Sequence, residues 1–213
     1  MKEKFTKKWN DFYAVHSHFY DQTRWLYLFG RNNICDWLPK DPPGPIIEIG
    51  CGTGFNLTSL AARFPDKEII GVDATIPMLD KARKRISRNG YAGRISLQQC
   101  FYGKDTIHCL DNNGTNVKPG VLFFSYALTL MPDYEYVIEQ AYKDLCPKGY
   151  IAVVDFVETK FKLVHDWFKW HQVQMNEDII HKLEKRFPDY NLKTSLVFGG
   201  LWKYCIFVGK KAE

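Results

Sequence analysis

The stretch PIIEIGCGTG (45–54) joins a short β-branched run to three glycines at alternate positions, Gly50, Gly52 and Gly54. Glycines there let a chain turn sharply out of a strand and let its backbone approach a ligand, with the N–H groups of the following helix aimed at it. Such a strand–turn–helix junction belongs to sheets built from parallel βαβ units. Its spacing excludes two common variants. A dinucleotide fingerprint is G-x-G-x-x-G and a P-loop is G-x-x-x-x-G-K-[ST]. This loop is acid-x-G-x-G-x-G, with Glu48 as the acid.

The rest of the chain repeats the junction's rhythm. PIIEIGC (45–51), EIIGVD (68–73), RISLQQC (94–100), VLFFSY (121–126) and YIAVVDFV (150–157) are short and nearly continuous in apolar character. Strands buried on both faces of a parallel sheet have that pattern. FNLTSLAARF, TIPMLDKARKRISRNG and DYEYVIEQAYKDLCPKG between them are of helical length, and the last two end at or near a glycine. Right-handed crossovers then give a doubly wound α/β sheet. Beyond residue 157 the spacing predicts one long helical stretch around 160–186, then LKTSLVF and YCIFVGK closing as an antiparallel hairpin across GGLWK.

Composition bounds the function. At 213 residues, without repeats or linker-like runs, the expectation is a single domain over 1–213: an N-terminal helical lid segment (1–43) and a core (44–213). The start, MKEKFTKKWNDF, lacks the apolar stretch of a secretory signal, and no window approaches a membrane span. The six cysteines form no C-x-x-C pair, so a reduced, buried set is expected, with no metal site. These features predict a cytoplasmic protein, with room for peripheral contact at the inner membrane surface. A net charge of +5 demands no polyanion, and no nucleic-acid-binding signature is present, so nucleic acid is not an expected partner.

Asp73 closes the second strand about twenty residues past the loop, where an acid accepts both ribose hydroxyls of an adenosine. Taken with the loop and the closing hairpin, this resembles the class I S-adenosylmethionine-dependent methyltransferases over roughly residues 44–210. The resemblance implies a Rossmann-like seven-stranded sheet, mostly parallel with an antiparallel last strand. It also implies S-adenosylmethionine as cofactor, S-adenosylhomocysteine as product and no catalytic metal. The residues it assigns to the cofactor are Glu48, Gly50, Cys51, Gly52, Gly54, Asp73, Ala74, Met78, Gln99, Cys100, Phe101 and Ser125. One departure is visible in QQCFYGKD: Cys100 or Phe101 stands where the family often has an acid near the adenine, leaving Gln99 or a backbone group to replace it.

For the acceptor, FYDQTRWLYLFGR (19–31), FSYALTLMPD (124–133), HQVQMNEDIIHKLEKRF (171–187) and GGLWKY (199–204) resemble the betaine-lipid N-methyltransferases. Those enzymes methylate the amine of diacylglyceryl-homoserine to a trimethylated headgroup. The segment after strand four is not [DN]-P-P-[YF], which argues against base or amide chemistry. Tyr20, Tyr126 and His165 are then candidate proton acceptors or hydrogen-bond partners. Tyr20, Trp25, Tyr126 and Trp202 are candidates for an aromatic cage around a quaternary ammonium, and Arg24 or Arg31 for pairing a carboxylate. Three other readings stay open: a small soluble amine as acceptor, a quinone precursor, and a binding module that kept the fold without catalysis. Trp25, Leu26, Leu28 and Phe29 also read as the core face of an N-terminal helix packed on the sheet, with Arg31 capping its end. Trp167, Trp170 and His171 share one helix face, as core, pocket wall or membrane-facing patch. His16 and His18 are not expected to hold a metal, and Lys2, Lys4, Lys7 and Lys8 read as a solvated basic end.

Overall fold

A computed structural model describes residues 28–109 and 116–213. Tyr20, Arg24, Trp25, His16, His18 and the early lysines lie outside the described residues, as does most of the lid segment. What is described of that segment is a helical turn, α1 (Arg31–Ile34), running into a 3-10 turn (Cys35–Trp37). Leu28, Ile34, Cys35 and Leu38 are buried there against the core.

Seven strands form one sheet: β1 (Ile46–Ile49), β2 (Ile69–Asp73), β3 (Ile95–Gln99), β4 (Val121–Ser125), β5 (Tyr150–Glu158), β6 (Asp189–Val197) and β7 (Trp202–Lys210). Their spatial order is β3-β2-β1-β4-β5-β7-β6. β1 to β5 pair in parallel, and β7 runs antiparallel to both β5 and β6. Side chains alternate across the pleat. Phe123 therefore joins the core on one face and its neighbour Phe124 the core on the other. The sheet is covered by α2 (Phe55–Arg63), α3 (Ile76–Arg88), α4 (Tyr134–Asp144), α5 (Lys162–Trp170) and α6 (Asp178–Arg186). None of these is long and apolar enough to cross a membrane.

The long helix expected over 160–186 is instead two. Gln172 takes a left-handed φ of 64°, Val173 N–H closes back onto the Phe168 carbonyl, and Gln174 N–H is drawn 2.7 Å to the Thr129 carbonyl. A tertiary hydrogen bond to the turn after β4 outweighs the helical pattern of the sequence. The hairpin reversal comes at residues 198–201, and β6 starts earlier than its apolar run, at Asp189.

Strand order reverses between β1 and β4, where the crossovers to either side diverge. In open α/β sheets that switch point leaves a crevice at the carboxyl ends of the strands. The cleft lies there.

Candidate active site

Gly50 has φ 70°, and a Cβ on it would meet the Ala127 Cβ at 2.9 Å. The glycine lets the loop leave β1 beneath the end of β4. Gly54, at φ 74°, caps α2 and lies against Ala82 of α3, so it packs the helices together rather than lining the cleft. The loop is clamped from both sides. Asp73 Oδ2 accepts the Gly52 N–H at 2.9 Å, and Arg85 of α3 donates to the Thr53 carbonyl and hydroxyl at 3.1 and 2.9 Å. Asp73 Oδ1 also takes the Thr75 N–H and hydroxyl at the start of α3. Asp73 thus holds loop and helix together while its carboxylate lines the cleft.

The cleft is open to solvent and offers about 140 Å³ of enclosed space. Glu48, Gly50, Cys51, Gly52, Asp73, Ala74, Met78, Cys100, Phe101 and Ser125 all line it, along with Arg31 and Tyr126. Gln99 does not: it is exposed at the end of β3 and its amide donates to the Ala74 carbonyl at 3.3 Å. Phe101 N–H is held by Asp105 at 2.9 Å, so the acid of this segment supports the loop from behind.

Glu48 is the unusual group. It is 1% exposed; Oε1 accepts from Asn56 at 2.6 Å, and Oε2 has no hydrogen-bond partner among the described residues. Burial pushes its pKa up to about 8, with the Asn56 hydrogen bond and the Arg31 charge pulling it down and Asp73 adding to the rise. A buried carboxylate oxygen left unsatisfied inside a cleft suits a cationic or donor-bearing ligand. Ser125 Oγ is buried and has no hydrogen-bond partner among the described residues, and Ser125 lines the same cleft. An acid at the loop, an acid at the end of β2 and a backbone cradle fit the ammonium, ribose and amino-acid chain of S-adenosylmethionine.

Arg31 stands on this cofactor side, its guanidinium 4.4 Å from the Phe55 ring centroid and close enough to Glu48 to act on its charge. Tyr126 closes β4 with a left-handed φ of 55° and donates its hydroxyl to the Phe29 carbonyl at 2.6 Å. Burial, then the charge of Asp155, raises the phenol well above its ordinary pKa, so it is a hydrogen-bond partner and not a neutral-pH base. His165 is on the exposed side of α5 beside Asp166, outside the cleft lining. Trp202 is buried behind Phe29, Phe168 and Phe198, also outside the lining. Leu130, Met131 and Pro132 add an apolar wall to the cleft. Neither that wall nor Asn56 was anticipated. Asn56 carried one signal, a polar side chain on the inward face of a helix's first turn.

A family model described as a methyltransferase domain matches residues 40–200. The chain belongs to that family. Its class I, S-adenosylmethionine-dependent members share this seven-stranded fold. It is 29% identical to trans-aconitate 2-methyltransferase of Methylobacterium radiotolerans over 54% of this chain and 39% of that protein. It is 24% identical to a ubiquinone/menaquinone biosynthesis C-methyltransferase of Geotalea daltonii over 57% and 49%. Among solved structures, phosphoethanolamine N-methyltransferase 2 of Haemonchus contortus, with phosphomonomethylethanolamine and S-adenosylhomocysteine, superposes at a TM-score of 0.69. That match has 14% identity over 87% of this chain and 53% of that one, and shares the fold alone. The chain thus spans about two fifths to one half of the length of these relatives.

Proposed function

We propose that the protein transfers methyl groups from S-adenosylmethionine to the amine of a lipid headgroup, of the diacylglyceryl-homoserine kind. The observation that carries the cofactor part is Glu48: a buried acid with one unpartnered oxygen, in a cleft that Asp73 also lines. When bound, the cofactor supplies a methyl group already activated by its sulfonium charge. The chain's share is to place the acceptor in line and exclude water. Glu48 and the loop N–H groups hold the amino-acid end, with Arg31 beside its carboxylate. Asp73 holds the ribose, and Met78, Cys100 and Phe101 surround the adenine.

The acceptor part rests on the four resembling stretches, two of which border the cleft: Tyr126 to Pro132, and Phe29 to Arg31. An alkylammonium with a Lys-like pKa is only about 0.1% neutral at pH 7. The apolar wall of Leu130 and Met131 favours the neutral amine over its charged form. As methyl groups accumulate, aromatic faces near the cleft attract the quaternary product.

A second reading, a small soluble acceptor or a quinone precursor, is favoured by the names of the sequence relatives. The deciding experiment incubates the full chain with methyl-labelled cofactor and offers diacylglyceryl-homoserine, phosphatidylethanolamine, trans-aconitate and a demethylquinone side by side. Mass steps of one to three methyl groups on the homoserine lipid are expected. Label only on trans-aconitate or the quinone removes the lipid acceptor and leaves the methyltransferase; cofactor binding without label anywhere removes both substrate classes.

A further inference from the structure

Ten large apolar side chains stand exposed among the described residues, and six belong to two neighbouring elements. Phe161, Leu163, Trp167 and Trp170 are on or just before α5; Leu196 and Phe198 are at the turn between β6 and β7. Thr159 donates its hydroxyl to the Leu201 carbonyl, tying the foot of α5 to that turn. Between them the buried Trp202 ring lies 5.8 Å from Phe168 and 5.6 Å from Phe198, centroid to centroid, so helix and turn rest on one shared ring. The aromatic chain also runs inward. Trp167 meets Phe168 at 4.9 Å, Phe168 meets Phe156 at 4.5 Å, and Phe156 meets Tyr126, in the cleft wall, at 4.5 Å.

Phe198 is the telling residue. Its φ of 47° lies in the left-handed region, where a bulky side chain strains the backbone and Asn or Gly sits more easily. The residue is 61% exposed, and its ring makes edge contacts to Phe29 and Trp202 at 5.6 Å each, which offset only part of the strain. Trp170, 69% exposed, and Leu163, 85% exposed, are likewise little rewarded by the core.

Exposed Lys160 and Lys169 stand among these tips; Asp166 pairs with Lys162, and Glu158 and Glu177 share Lys203, which leaves a small positive excess on this face. Protruding Trp, Phe and Leu side chains with lysines between them complement the apolar interior and the anionic headgroups of a bilayer together. A protein partner fits a flatter, contiguous patch; these are separate points drawn from a helix and a turn.

We propose that α5 and the β6–β7 turn dip into the interface of an anionic lipid bilayer and hold the cleft against it, an inference that rests on the lipid-acceptor reading for its purpose. The probe is the full chain floated with vesicles of equal phosphatidylglycerol and phosphatidylethanolamine. Wild type should rise with the vesicles, and Trp170→Ala combined with Phe198→Asn should partition about tenfold less. Both side chains are exposed and outside the cleft lining, so affinity for S-adenosylhomocysteine should not change. Phe198→Asn alone should unfold close to wild type, because relief of the left-handed backbone offsets the lost contacts to Phe29 and Trp202, which separates lost docking from misfolding. Equal flotation of variant and wild type overturns the assignment to this face. A wild-type chain that ignores the vesicles overturns bilayer docking altogether and leaves the face to a protein partner. Methylation of diacylglyceryl-homoserine in detergent micelles tests the acceptor separately: flotation without it removes the acceptor and keeps the docking face, and methylation without flotation does the reverse.

Discussion

Glu48 on β1 and Asp155 on β5 are both buried carboxylates, and burial raises both, to about 8 and about 6. They differ in what surrounds them. Asp155 accepts from the Thr129 hydroxyl at 2.6 Å, the Thr129 N–H at 3.2 Å and the Phe156 N–H at 2.8 Å. It lies behind the cleft and fixes the turn whose Leu130 and Met131 form the apolar wall. Glu48 has one donor among the described residues, Asn56, and its other oxygen is buried without a partner at the lining of the cleft. A buried acid with complete hydrogen bonds holds structure; one with an incomplete set is kept for a ligand.

Removing each acid should therefore fail differently. Asp155→Ala strands the Thr129 and Phe156 donors in the core, so stability should fall by about 3 kcal/mol in urea unfolding. The variant that still folds should show a higher KM for the acceptor, with affinity for S-adenosylhomocysteine nearly unchanged. If instead cofactor affinity collapses with it, the two halves of the cleft are not separable in this way.

Glu48→Gln should show the opposite profile. The neutral amide keeps the Asn56 contact but cannot ionise when a cationic ligand binds, so affinity for S-adenosylmethionine should fall about tenfold or more, as expected for a lost charge-assisted bond. Stability should behave otherwise. A carboxyl raised from 4.5 in the unfolded chain to about 8 in the fold keeps its proton while the unfolded state loses it, so wild-type stability drains away as pH climbs through that window. Asp155 adds the same sign between 3.8 and about 6. Glu48→Gln should flatten the upper part of the stability-versus-pH curve and leave the Asp155 part in place. A curve identical to wild type between pH 6 and 8 would show that Glu48 is ionised in the free protein.

The same contrast explains what was legible in the sequence. Glu48, the glycines and Asp73 occupy one strand–turn–helix–strand unit, where spacing alone fixes geometry. The nearly continuous apolar strands, set between helix-length segments, likewise foretold a parallel sheet with an antiparallel close. Asp155 passed unnoticed inside YIAVVDFV because its partner Thr129 is 26 residues away, although an acid amid an apolar strand is itself a signal. The break between α5 and α6 was hidden for the same reason: the Gln174–Thr129 bond joins distant segments, and a helical period carries no trace of it. Residues proposed for the acceptor spread further still. Tyr126 came to the cleft, His165 and Trp202 did not, and Tyr20 and Arg24 lie outside the described residues.

Tyr126 sits between the two acids' territories and gives the smallest effect. Its N–H bonds the Val154 carbonyl at 2.7 Å beside Asp155, its ring packs on Phe156, and its hydroxyl reaches Phe29 across the cleft wall. Tyr126→Phe keeps the ring and the backbone bond and removes only the link to Phe29. Stability should fall by about 1 kcal/mol, the worth of one ordinary hydrogen bond, and cofactor affinity should hold. Because burial and Asp155 keep the phenol protonated, the substitution should not shift the pH profile of methyl transfer near neutrality. A rate loss of a hundredfold or more, roughly 3 kcal/mol of barrier, with stability and cofactor affinity intact, would move Tyr126 from the wall of the site into its chemistry.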